Sequence, residues 1–190
     1  MRRAILAAIT TLAVSPLLAT AASPQGWFLA GNDAASYSMA RDSTVSHGTS
    51  NSGRLASIQA SKGFGTMMQS IDASDYRGKR MRLSAWVKAN DVKRWAGVWM
   101  RVDGENVQAG SLAFDNMQDR PIKGTQDWTK CDVVLDVANS ARGISYGILL
   151  DGEGTVWMSD VHFDPVPTSV PTTSRFQAPT KKPQNLDFGH

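Results

Sequence analysis

Beyond residue 22 the apolar residues recur at every second position in short runs, and no stretch carries the stripe of an amphipathic helix. The alternation is plain in "RMRLSAWVKA", "AGVWMRVDG", "ISYGILLDG" and "TVWMSDVHFD", and it recurs in "GWFLAG", "SYSMARD", "RLASIQAS", "GTMMQSID", "GSLAFDNM" and "TKCDVVLDV". Clusters of Gly, Asn, Asp and Ser separate the runs. Period two is the signature of a strand with one face on a core. About ten such strands at sandwich spacing predict an all-β fold of two packed antiparallel sheets, a jelly roll, and not an up-and-down barrel or a repeat array. Asp151 to Thr155, "DGEGT", reads as a glycine-rich hairpin turn between two strong strands. At 190 residues and 42% hydrophobic, the chain supplies one domain with a sizeable core.

The two ends depart from this pattern. "MRR" is a positive n-region, "AILAAITTLAV" an uncharged apolar segment, and Ala19-Thr20-Ala21 a small-residue cleavage pattern, so residues 1–21 are expected to be a secretory signal peptide. An N-terminal membrane anchor is the competing reading, since 4–22 carries no charge, but Pro16 and the small-residue end favour cleavage. No cysteine stands there to carry an acyl lipid. The expectation is a protein exported to the periplasm or secreted, with no membrane span once the signal is removed. From Pro165 the chain turns to proline, threonine and serine without periodicity, and 165–190 is expected to be a disordered tail, leaving 22–164 as the folded domain.

The net charge of +3 and pI of about 9.2 invite a nucleic-acid partner until the charges are located. Arg2 and Arg3 belong to the signal segment, and Arg175, Lys181 and Lys182 to the tail, so the domain itself is close to neutral and no nucleic-acid partner is expected. Cys131, a lone cysteine, cannot form an internal disulfide. It shares parity with Val133, Leu135 and Val137 and is expected to be an inert core residue rather than a reactive thiol.

The candidate site comes from the opposite parity. In "WAGVWMRVDG", Ala96, Val98, Met100 and Val102 form an apolar side, whereas Trp95, Gly97, Trp99, Arg101 and Asp103 form an amphipathic one. The preceding run repeats the division, with Arg82, Ser84, Trp86 and Lys88 opposite Met81, Leu83, Ala85 and Val87. In "ISYGILLDG" the polar side is Ser145, Gly147, Leu149 and Asp151, whose small members leave space above a sheet. If the three faces belong to one sheet, Trp86, Trp99 and Arg101 line a shallow groove with Lys88, Asp103 and Asp151 at its ends. Flat indole area beside charged groups suits a sugar, whose C–H face packs on the ring while its hydroxyls seek donors and acceptors. Gln69 and Asp115 are further candidates, an amide able to make paired hydrogen bonds and a carboxylate at a strand end. A turn or Asx-type cap explains Asp115 equally well. Tryptophans half covered in a sheet, with charged stems packed on them, are the competing explanation of the face. Trp27, Trp128 and Trp157 read as core or strand-end anchors, and Trp95 as the start of a strand.

"GTVWMSDVHFDPV", with "RLSAWVKA" and "DWTKCDVVLDV", resembles galactose-binding-like jelly rolls, which include many bacterial carbohydrate-binding modules; the resemblance spans about residues 26–164. It implies sugar binding as an expectation, and a structural calcium held in such relatives by an acidic residue of the last strand, the position of Asp160, together with backbone oxygens near the N-terminal strand. The strings "GFGTMMQSID", "YRGKRMRLSAWVKANDV", "WAGVWMRVDG" and "LAFDNM" are similar to a bacterial family of small domains, some found in proteins labelled transcriptional regulators. No helix-turn-helix segment is legible here, so that role is not carried over.

Catalysis has little to build on. His47 lies in a Ser/Gly/Asn-rich loop, His162 alternates along the last strand, and no HExxH, CxxC, P-loop or dinucleotide fingerprint occurs. Asp103, Asp115 and Asp151 offer carboxylates, but pairing two across a groove is not something spacing reveals. The sequence therefore predicts an exported, monomeric, non-catalytic jelly roll without a cofactor, binding carbohydrate or another small polar ligand through Trp86, Trp99, Arg101, Gln69 and Asp115. The alternatives are an envelope interaction protein whose tryptophans meet a protein partner and, behind it, a glycosidase.

Overall fold

The computed structural model describes residues 23–106 and 110–174; the segment read as a signal peptide lies outside them, as does the chain beyond Ser174. Nine strands run through these residues: β1 (Phe28–Ala30), β2 (Tyr37–Asp42), β3 (Ser52–Ser57), β4 (Phe64–Asp72), β5 (Arg80–Asp103), β6 (Ser111–Asp115), β7 (Ile122–Asp136), β8 (Gly143–Asp151) and β9 (Thr155–Val166). Two single 3-10 turns, Ala34–Ser36 and Ser74–Tyr76, are the helical content of the described residues. None of it is long and apolar enough to cross a membrane.

Every pairing is antiparallel, and the strands fall into two layers. One runs β1-β4-β8, continues into the C-terminal half of β5, and ends on β6. The other runs β2-β3-β9, continues into the N-terminal half of β5, and ends on β7. The two runs expected as separate strands around Trp86 and Trp99 are thus one strand of 24 residues that serves both layers.

Where β5 passes from one layer to the other its parity reverses. Met81, Leu83, Ala85, Val87 and Ala89 are buried before the corner, and Val92, Ala96, Val98, Met100 and Val102 after it. The register against β7 gains a residue between Ala89 and Val92, and Asp91 there takes φ 54°. An extra residue in one strand of a pair exchanges the faces of everything that follows. Both halves consequently feed one core, joined by Leu135, Ile144, Ile148, Leu150 and Leu55 from the other strands. Cys131 lies in this core at 4% exposure, as its parity indicated.

The sandwich also extends past residue 164. β9 runs to Val166, Arg80 donates from Nη1 to the carbonyls of Thr168 and Val170, and Thr173 exchanges hydrogen bonds with the backbone of Val134 on β7. Residues 165–174, expected in the tail, pack against the sheet. The contacts use mostly backbone atoms, which leave no pattern in side-chain composition.

Candidate functional site

The outer face of the β1-β4-β8-β5-β6 layer is a concavity of about 740 Å³. Its lining follows from register, because residues opposite one another across an antiparallel ladder share a face. Phe64, Asp151 and Trp95 form one row across β4, β8 and β5, and Phe28, Met68, Gly147 and Trp99 form another across β1, β4, β8 and β5. Arg101 stands between Ser145 of β8 and Phe114 of β6.

Two glycines make this face hollow. Gly147 lies between Trp99 and Met68, and a Cβ there would fall 2.1 Å from Met67 O. With no side chain in its way, the Trp99 indole crosses β8 and donates from Nε1 to Thr66 Oγ1 at 2.8 Å; Thr66 donates in turn to Ile148 O. Trp99 is 7% exposed and forms the floor, while Trp95, half-buried, forms a wall. Above Gly97 the chain of β6 returns so closely that a Cβ would meet Asn116 O at 2.6 Å. That return carries Asn116 and Gln118 to the rim.

The ionic groups are arranged unequally. At one end Asp151 is held by both Nε and Nη2 of Arg94, which also donates to Lys62 O. At the other end Arg101 gives only Nε to Asp103 Oδ2, at 2.9 Å, and neither of its Nη groups has a partner among the described residues. The Arg101 side chain is 41% exposed, whereas the Asp103 carboxylate beneath it is 11% exposed.

Of the five residues singled out from the sequence, Trp99 and Arg101 meet in this concavity. Trp86 does not, which corrects the single groove. It lies on the outer face of the opposite layer, paired with Lys130 and Ser159, because the parity reversal in β5 sends the two tryptophans to opposite sides of the core. His47 stacks on Trp86 at 4.1 Å, and its loop is pinned by hydrogen bonds between the His47 backbone and Ser159 Oγ. Lys88, expected at the end of the same groove, is there too, bound to Asp127.

Gln69 occupies the other face of β4, where its Oε1 accepts from Tyr146 Oη at 2.7 Å in a separate cleft of about 390 Å³. Asp115 pairs with Met100 and points inward. It accepts from Met117 N and from both Nη groups of Arg120, and so fixes a turn in which Met117 takes φ 61°. Asp115 therefore holds the rim without lining it. Trp95, Phe28, Phe64 and Phe114 do line it and were not singled out. For Trp95 the signal was its shared parity with Trp99 and Arg101.

Asp160, the position of the expected calcium ligand, takes φ 49° beside Gly48 and engages His162 Nε2 at 3.0 Å. Among the described residues no group of three or more His, Cys, Asp or Glu side chains converges there or elsewhere.

The sequence matches no protein-family model. It is 41% identical over 169 residues to a Bacillus subtilis protein named as an uncharacterized HTH-type transcriptional regulator, YbfP; the match covers 86% of this chain and 56% of that protein. The chain thus spans about half the length of this curated relative. Among solved structures, the fold is similar to the CBM22-1 xylan-binding domain of Paenibacillus barcinonensis Xyn10C, with TM-score 0.52 and 13% identity over 76% of this chain and 88% of that one. A family 16 carbohydrate-binding module gives TM-score 0.52 and 13% identity over 70% and 92% of the two chains. The enzymatically active domain of tailspike protein 4 from bacteriophage CBA120 gives 0.55 and 15%, over 75% and 20%. At such identities the likeness is one of fold alone: a two-layer antiparallel β-sandwich, the architecture these carbohydrate-binding modules also have.

Proposed function

We propose that the domain is a non-catalytic binding module that takes carbohydrate, or another small polar ligand, into the concavity between Trp95 and Arg101. The observation that carries this reading is the combination on one hollow face of a half-buried indole, an indole floor and a guanidinium whose two Nη groups have no partner among the described residues. Aromatic faces pack the C–H side of a sugar ring, and the rim groups of Arg101, Asn116 and Gln118 meet its hydroxyls. A volume of about 740 Å³ falls in the range of small-molecule sites.

The non-catalytic part of this reading is supported by what lines the face. A glycosidase needs two carboxyl groups across the substrate. Asp151 is the one carboxylate among the lining residues, and Arg94 occupies both its oxygens. Neither His47 nor His162 lines the concavity. Similarity to a protein named as a regulator agrees with the reading, since binding a small ligand is an activity that a regulator can use. Export is part of the same proposal, supported by the composition of residues 1–21, and N-terminal sequencing of the protein recovered from its native host tests it.

Titration of the full chain with a panel of bacterial and plant oligosaccharides, followed by tryptophan fluorescence, tests the binding. A saturable change that Trp95→Ala weakens at least about tenfold, with the melting temperature kept, is the expected result. No response to any glycan from a folded protein would overturn it in favour of a surface that meets a protein partner.

A further inference from the structure

We infer that the ligand is acidic: a glycan carrying a carboxylate, such as a uronic acid unit, received by the two Nη groups of Arg101, which have no partner among the described residues. This rests on the reading of the concavity as a glycan site and names the class of glycan.

Unpaired donors outnumber unpaired acceptors on the lining side chains. The Nε of Arg101 is spent on Asp103 Oδ2, which leaves the end of the guanidinium with two parallel N–H donors. That fork matches the two oxygens of a carboxylate. The neighbours of Arg101 across the ladder do not compete for it: Phe114 has no polar group, and Ser145 Oγ is paired with Ser70 Oγ at 2.8 Å. Asn116 also presents a donor, because its Oδ1 already accepts from Gln118 N. The acceptors of the lining are largely committed, with both oxygens of Asp151 on Arg94. Among the lining side chains, what remains to be satisfied is therefore mostly N–H; the one unpartnered carboxylate oxygen nearby, Asp103 Oδ1, is buried beneath the lining and not part of it. A neutral sugar brings a donor with every hydroxyl, whereas a carboxylate brings acceptors alone.

Asp103 does not cancel this preference. Its carboxylate lies beneath Arg101 on the Nε side and orients the fork, so a ligand carboxylate approaches from the opposite edge. Asp103 is in this sense a positioning residue, and the ligand's carboxylate completes an arrangement already half built.

The test uses matched pairs on the full chain: galactotriose beside trigalacturonate, and neutral xylo-oligosaccharides beside glucuronate-bearing ones, titrated calorimetrically at low and at moderate salt. Benzoate is included as an acid that is not a sugar. The acidic member of a pair is expected to bind about tenfold more tightly, with the advantage shrinking in salt, vanishing in Arg101→Gln and partly kept in Arg101→Lys. Equal or tighter binding of the neutral member, with Arg101→Gln weakening both alike, would overturn the acidic class and leave the glycan site standing. Binding of benzoate through Arg101 with no response to any glycan would overturn the glycan class. No binding of any probe by the folded protein would remove the glycan reading itself.

Discussion

The indole N–H of Trp99 reaches the hydroxyl of Thr66 at 2.8 Å, across the whole width of β8. The bond ties the floor of the concavity to two strands at once and makes Trp99 a structural residue as well as a lining one. Trp99→Ala is expected to cost about 3–5 kcal/mol in urea unfolding, the usual range for a buried large aromatic. Thr66→Val, which keeps the shape but strands the indole N–H, is expected to cost about 1–3 kcal/mol. Trp95→Ala, on the open wall, should leave the midpoint almost unchanged, so comparing the three separates floor from wall.

Asp115 acts on binding at one remove. Its carboxylate holds Met117 N and Arg120, and through them the turn that brings Asn116 and Gln118 to the rim. Asp115→Ala is expected to lower stability by about 1–3 kcal/mol and to weaken any ligand that Asn116 or Gln118 touches. Asn116→Ala should weaken the same ligand with the melting temperature preserved.

Acid should destabilise the protein through Asp42. Burial pushes this carboxyl up, but hydrogen bonds from Trp157 Nε1, from the Thr44 amide and hydroxyl, and from Val45 N outweigh it and hold the value at about 2. A depressed carboxylate contributes stability that is complete above its unfolded value, 3.8, and is lost as pH falls through the folded one. The melting temperature should accordingly fall between about pH 4 and pH 2, more steeply than in Asp42→Asn.

Cys131 should be silent toward thiol reagents in the native state. Burial pushes its thiol up to about 11, and only 4% of the residue is exposed. Reaction with a disulfide reagent is expected in denaturant and not without it, and rapid reaction of the folded protein would contradict the core position.

A chain ending at Val166 loses the carbonyls that Arg80 binds and the exchange between Thr173 and Val134. Its melting temperature should drop by about 4–10 °C relative to a chain ending at Ser174. Equal values would show that these contacts contribute nothing.

The strand faces were legible in the sequence because period two is a local property: Trp95, Trp99 and Arg101 share a parity, and so do Ser145, Gly147 and Leu149, and the structure keeps both sets on one face. The assignment of Trp86 to that face failed for an equally definite reason. A single added residue near Asp91 exchanges inside and outside, and alternation on either side of it looks the same whether the two runs lie in one layer or in two. Phe28, Phe64 and Phe114 sit on short or edge-proximal strands where two faces cannot be told apart from a few residues. The bond of Gln69 to Tyr146 spans 77 positions and leaves no local trace.

The double membership of β5 also governs how the molecule comes apart. Each layer keeps its own half of β5, but the two halves belong to one continuous strand and bury one shared core, so opening either layer strips the inner face of the other. Reporters on opposite faces, Trp86 on one and Trp95 on the other, are bound to report one and the same cooperative transition.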